Sequence, residues 1–145
     1  MPLAKGYQQL LDEALAQVTT LGVAEARALH GRDDVVFVDV RDVRELEAEG
    51  VVPGAVHAPR GMLEFWVDPA SPYHREVFAR EGATYVLFCA LGWRSALAAK
   101  TLQDMGLARV VHIEGGFTAW RDAGAPVAHK APKPRPAAPE PPALA

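Results

Sequence analysis

Thiol chemistry is nearly absent from this chain: Cys89 is the only cysteine among 145 residues. A single cysteine excludes an internal disulfide framework and a Cys-rich zinc site. The five histidines, at 30, 57, 74, 112 and 129, lack metal-ligand spacing, so neither a metal nor another cofactor is expected. No apolar run approaches the ~20 residues that a membrane-spanning helix needs. Charge of one sign is also scarce, with a formal net charge of −3, which removes the electrostatic case for nucleic acid or an anionic membrane as partner. The opening stretch MPLAKGYQQLLDEALAQV is amphipathic and holds Asp12 and Glu13, unlike the apolar core of a secretory signal. A cytoplasmic location is the expectation.

What is present reads as one domain over 1–129 and a tail over 130–145. Six of the 12 prolines lie in the final PKPRPAAPEPPALA, where no helical or alternating pattern survives. A passive, extended tail is expected there, although proline-rich tails sometimes bind SH3-like grooves. At the other end Leu3, Tyr7, Leu10, Leu11, Ala14, Leu15 and Val18 recur at helical spacing and predict a first helix that packs across the domain. A short helix over 23–29 and a strand over 35–40 follow. DVRELEAEG predicts a helix closed by Gly50, and further strands are expected at 55–58, 85–88 and 110–113. A helix near 117–122 ends the pattern. Strands alternating with helices imply an α/β fold, a mostly parallel central sheet with helices on both faces. The segment 60–84, with Met62, Leu63, Phe65 and Trp66, is expected to fold over the end of that sheet.

The cysteine stands at a place with chemical meaning. Tyr85 to Phe88 is a continuous apolar run, as in a strand buried on both faces, and a helical pattern through Ala96, Leu97, Ala98, Ala99, Leu102 and Met105 stops at Gly106. Ser95 is expected to cap that helix. Cys89 therefore occupies a strand-to-helix turn at the carboxyl end of a parallel sheet, where unpaired helix amides point outward and ligands bind. The bland reading is an inert cysteine that finishes a core strand. A free thiol of pKa near ~8.5 is only a few per cent thiolate at neutral pH, and a helix terminus supplies ~0.3–1 kcal/mol, less than a useful activation requires. Loop amides and Arg94 are expected to add to it, with Gly92 letting the backbone curl into a concave nest of N–H groups.

The loop CALGWRS, with Cys89, Gly92, Arg94 and Ser95, resembles the active-site loop of rhodanese-type sulfurtransferases. VVFVDVRDVREL (35–46) is similar to the family's first signature, GVVPGAVHAP (50–59) to its second and VVHIEGGFTAWRDAGAPV (110–127) to its last. One departure is Val51, where the second signature commonly has His. The resemblance implies a rhodanese-like three-layer fold and Cys89 as a nucleophile that becomes a persulfide. It also implies a substrate-binding loop of Ala90, Leu91, Gly92, Trp93, Arg94 and Ser95, with Asp39 and Arg41 bracing it. Arg60 follows a strand on the same side and is a further candidate for an anionic donor. His74 lacks a visible partner as acid or base, Gly115 and Gly116 are expected to allow close backbone approach, and Trp120 is expected in the core.

The implied activity is a thiosulfate sulfurtransferase-like ping-pong transfer of a sulfane sulfur, from a donor such as thiosulfate to a thiol, cyanide or a protein acceptor. The external acceptor follows from the lone cysteine, since no second thiol can resolve the persulfide internally. Two alternatives remain. Cdc25-type phosphatases, which the family also resembles, place five residues between Cys and Arg, whereas four, Ala90 to Trp93, intervene here. The other alternative is a catalytically inactive rhodanese-like binding module, though such modules commonly lose the cysteine.

Overall fold

The computed structural model describes residues 2–132. The part of the proline-rich stretch from 133 onward lies outside the described residues. Five strands form one sheet: β1 (Thr19–Leu21), β2 (Val35–Asp39), β3 (Val56–His57), β4 (Thr84–Phe88) and β5 (Val110–Ile113), in the order β1-β5-β4-β2-β3. Every pairing in it is parallel. Strand β1 was not anticipated. Its three residues TTL carry almost no hydrophobic signal, and only pairing with β5, in register Thr20 to His112, makes them a strand.

Six α-helices accompany the sheet among the described residues: α1 (Tyr7–Gln17), α2 (Val23–Leu29), α3 (Val43–Glu49), α4 (Leu63–Val67), α5 (Trp93–Asp104) and α6 (Gly116–Asp122). Side chains alternate across the strands and so build two cores. On one face Val36, Val38, Tyr85, Leu87 and Cys89 pack with Leu63 of α4 and with Ala98, Ala99 and Leu102 of α5. On the other, Phe37, Val86, Phe88 and Ile113 pack with Ala26 of α2 and with Phe117 and Trp120 of α6. Trp120 is fully buried, and its indole N–H donates to Pro126 O at 2.7 Å, which satisfies the ring's polar atom inside an apolar layer.

Several local expectations are corrected. The first helix starts at Tyr7, not Leu3, and only part of its apolar stripe is covered: Leu11 and Ala14 pack on Ala96 of α5, while Leu3, Tyr7, Leu10 and Leu15 stay exposed. Helix α5 begins two residues before Ser95, with Gly92 as its N-cap at φ 104°, so Ser95 is an internal first-turn residue and not the cap. Segment 60–84 contributes α4 and two 3-10 turns, Arg60–Met62 and Glu76–Ala79. It buries Leu63, Val67 and Phe78 but leaves Phe65 exposed. Val51, the position that departs from the second signature, exchanges backbone hydrogen bonds with Ala128 at 2.8 and 2.9 Å. That bridge needs no side-chain chemistry. Among the described residues no helix is long and apolar enough to cross a membrane.

Candidate active site

Strand β4 is central in the sheet, and Cys89 is the first residue beyond it. The thiol is 1% exposed, enclosed by its own loop. Gly92 N–H donates to Sγ at 3.1 Å and Ser95 N–H at 3.4 Å. The Ser95 hydroxyl oxygen lies 3.6 Å from the same sulfur. Only a left-handed glycine at 92 turns the chain back tightly enough for both amides to reach one atom. The nest inferred from CALGWRS thus takes the form of two aligned N–H dipoles and a hydroxyl, which favour negative charge on sulfur.

The other end of the loop is held by α6. Phe117 N–H donates to Cys89 O at 2.7 Å and Thr118 N–H to Ala90 O at 3.1 Å. Gly116 makes this contact feasible: a Cβ there would sit 2.4 Å from Cys89 O and 2.8 Å from the Ala90 carbonyl. Beneath it, Arg41 is buried and ion-paired with Asp39 at 2.8 Å, donates to Gly50 O at 2.9 Å, and places its guanidinium 4.1 Å from the Phe117 ring centroid. The pair therefore ties the end of β2 to the helix that carries the loop.

A small cavity of about 150 Å³ opens over Cys89, lined by Ala90, Leu91, Trp93 and Arg94. Leu91 and Trp93 are 64% and 58% exposed and form an apolar rim, with the Trp93 ring 5.5 Å from that of Tyr7 on α1. A larger groove of about 500 Å³ lies on the far side of Leu91, between α3 and α6, and includes Arg44 and Arg121.

Arg94 reaches the cavity but is not an unpaired cation. Both its terminal nitrogens donate to Glu45 of α3 at 2.8 Å. The hydrogen bonds from Arg94 pull the Glu45 carboxyl down to about 2, and Glu45 in turn raises the Arg94 pKa. Sequence reasoning missed Glu45. Its residue type in DVREL reads as an ordinary helix-surface acid, and it also closes the α3 capping box on Asp42 N–H at 2.9 Å. Arg60 is engaged elsewhere: it donates to Glu64 at 2.7 Å and to Thr101 at 3.4 Å and does not line the cavity over Cys89. The His74 imidazole hydrogen-bonds the Trp66 carbonyl at 3.1 Å and does not line the cavity over Cys89.

His112, in the sequence only a histidine without metal-ligand spacing, is buried in β5 with both ring nitrogens engaged. Nδ1 lies 3.2 Å from Ser95 Oγ and Nε2 2.9 Å from Thr20 Oγ1. Burial lowers its pKa. The available signal was a lone histidine inside the apolar run VVHI, at a parity that the register with Leu87 aims toward α5.

The chain is similar to known proteins over most of its domain. The Rhodanese-like domain family matches residues 22–123. A sulfurtransferase from Allochromatium vinosum is 30% identical over 102 residues, which cover 70% of this chain and 86% of that protein. An uncharacterized protein from Synechocystis is 32% identical over 107 residues, 74% of this chain but 54% of its own length, so the chain spans about half of that relative. Among solved structures, a Rhodopseudomonas palustris protein of unknown function, described as a possible tyrosine phosphatase, is 55% identical with a TM-score of 0.85, covering 88% of this chain and 98% of that one. The family match and the sulfurtransferase relative support a sulfur-transfer kind of function. A wholly parallel sheet, a cysteine loop closed by a left-handed glycine and a match over most of the domain lead to one assignment: the chain belongs to the rhodanese-like domain family.

Proposed function

We propose that this protein is a sulfurtransferase that carries a sulfane sulfur on Cys89, taking it from a donor such as thiosulfate and passing it to an external thiol, a protein acceptor or cyanide. The observation that carries this reading is the convergence of the Gly92 and Ser95 amides on one buried sulfur, at 3.1 and 3.4 Å. In the first half-reaction the Cys89 thiolate attacks the outer sulfur of thiosulfate, a new S–S bond forms, and sulfite leaves with the electron pair of the bond that breaks. The loop amides are then placed to stabilise the terminal sulfur of the persulfide. In the second half-reaction the acceptor thiolate attacks that terminal sulfur and Cys89 departs as thiolate. No electrons are gained or lost overall. The pairing of Arg94 with Glu45 supports thiosulfate as an assay donor rather than the physiological one, because a dianion would meet a cation already neutralised.

A phosphatase reading is favoured by the description of the 55% identical Rhodopseudomonas palustris structure and by a 30% identical relative from Arabidopsis thaliana named dual specificity phosphatase Cdc25. Four residues between Cys89 and Arg94, one fewer than in phosphatase loops of this kind, favour a single sulfur over a tetrahedral phosphoryl group. Mass spectrometry after thiosulfate treatment separates the two. The expected result is one added sulfur on Cys89, removed by thiols, with transfer abolished in Cys89→Ser. Turnover by Cys89→Ser, or Cys89-dependent hydrolysis of an aryl phosphate without sulfur loading, overturns the proposal.

A further inference from the structure

Cys89 is enclosed, yet forming its thiolate requires that a proton leave. The loop amides are donors and cannot accept it. A different set of groups leads away from the sulfur: Ser95 Oγ at 3.6 Å, then His112 Nδ1 at 3.2 Å from Ser95, then Thr20 Oγ1 at 2.9 Å from His112 Nε2. Ser95 and His112 are buried, whereas Thr20 is exposed on the edge strand β1. The chain therefore runs from a closed thiol to the surface, away from the cavity mouth at Leu91 and Trp93.

The sheet register explains why these groups meet. Thr20 pairs with His112 and His112 with Leu87, so the three side chains share a face. Cys89, two residues beyond Leu87, continues that face, and the first turn of α5 lays Ser95 over it. The groups facing His112 are thus the Thr20 hydroxyl from β1, the Ser95 hydroxyl from α5 and apolar Leu87 from β4. The ionisable groups nearest the loop otherwise, Arg94 and Glu45, are paired with each other.

We propose that Ser95, His112 and Thr20 form a proton relay that deprotonates Cys89 through the body of the sheet and reprotonates it after discharge. This rests on Cys89 being the nucleophile of the proposed transfer. The S–H bond breaks, its electron pair stays on sulfur, and the proton goes to Ser95 Oγ. The proton of the Ser95 hydroxyl passes to His112 Nδ1, the Nε2 proton passes to Thr20 Oγ1, and the Thr20 hydroxyl proton passes to solvent water. The imidazole ends neutral in its other tautomer, and the same steps run in reverse when the thiolate is reprotonated. Burial suits His112 to this role, since it keeps the ring neutral with one nitrogen free to accept.

The test measures how fast the thiolate forms, as the rise of thiolate ultraviolet absorbance after a rapid jump from about pH 5 to about pH 9, a range spanning ordinary His and Cys titration. A proton path changes that rate and leaves the final thiolate fraction alone, because the proton ends in solvent either way. In His112→Asn, whose amide can hydrogen-bond Ser95 but cannot pass a proton through, the rise is expected to be about tenfold slower with the same final amplitude. Ser95→Ala should do the same, and the double variant should be no slower than Ser95→Ala alone, because both cuts lie on one path. A folded His112→Asn with the parent rate overturns the relay. If His112→Asn does not fold, Thr20→Val decides: it keeps the β-branched shape on an exposed strand, and an unchanged rate there overturns the proposal equally. No sulfur donor or acceptor is present in the measurement. Variants that slow as expected in a protein that never transfers sulfur would sink the sulfurtransferase reading and leave the relay standing.

Discussion

At the scale of the residue, two contacts next to the loop have sharp consequences. Gly116 has φ 57°, and any Cβ there meets carbonyl backbone that has no flexible end to move aside. Gly116→Ala is therefore expected to lose more than ~1 kcal/mol of stability, since both the conformation and the space are wrong. Chemical denaturation measures the loss, and transfer activity should fall further than stability does because the shift is transmitted to the Cys89 carbonyl. Glu45 offers the opposite kind of test. Glu45→Gln keeps a side chain able to complete the α3 capping box but releases the Arg94 charge. The KM for thiosulfate is expected to drop by about three- to tenfold, equivalent to ~0.7–1.4 kcal/mol of interaction with the freed guanidinium. An unchanged KM would show that Arg94 does not meet the donor.

Among the elements, α5 contributes most to the candidate site. Its first turn supplies the Ser95 amide and hydroxyl, the rim residue Trp93 and the Glu45-bound Arg94. Helix α1 lies against it and leaves Tyr7 beside Trp93. Trp93 lines the cavity over the thiol, whereas Trp120 is buried on the opposite face of the sheet and Trp66 lies under Arg75, 4.3 Å from its guanidinium. Loading sulfur on Cys89 places a polarisable anionic group near the Trp93 indole alone. Intrinsic fluorescence is expected to fall on loading and recover on discharge by a thiol. Trp93→Phe should keep most turnover and lose most of that signal. A signal of full size in Trp93→Phe would point to another tryptophan and contradict the cavity lining.

For the molecule as a whole, pH reaches stability through two of these groups. The His112 pKa is lowered in the fold by burial, so the folded state binds fewer protons than the unfolded chain as pH falls below 6.5, and stability declines from there. The Glu45 pKa is lowered from 4.5 to about 2, chiefly by hydrogen bonds from Arg94, so its contribution is complete above 4.5 and is lost as pH falls toward about 2. The melting temperature should thus begin to drop below neutrality and drop again in the carboxylate range. His112→Asn is expected to flatten the first decline and Glu45→Gln the second. A melting profile of Glu45→Gln parallel to that of the parent below pH 4.5 would mean that the pair contributes nothing to the acid transition.

The amino-acid sequence by itself determined the alternation of helices and strands, the strand-to-helix turn at Cys89 and the need for glycine at 92, because each depends on neighbours along the chain: a short apolar run, a change of period, a left-handed position. It determined the bracing role of Asp39 and Arg41 only through the resemblance. Tertiary structure decided the rest. Thr19–Leu21 becomes a strand because β5 offers it an edge, and Glu45 becomes the Arg94 partner because α3 and α5 bring together residues 49 apart in sequence. The amphipathic stripe of α1 exceeds what α5 can cover, so periodicity named a face larger than the contact. His112 joins Cys89 only through sheet register and a helix laid over it, and side-chain hydrogen bonds of that range leave no period in the sequence. Local propensity and hydrophobic spacing are properties of adjacent residues, while pairing of charges and hydroxyls across elements depends on where the packed layers place them.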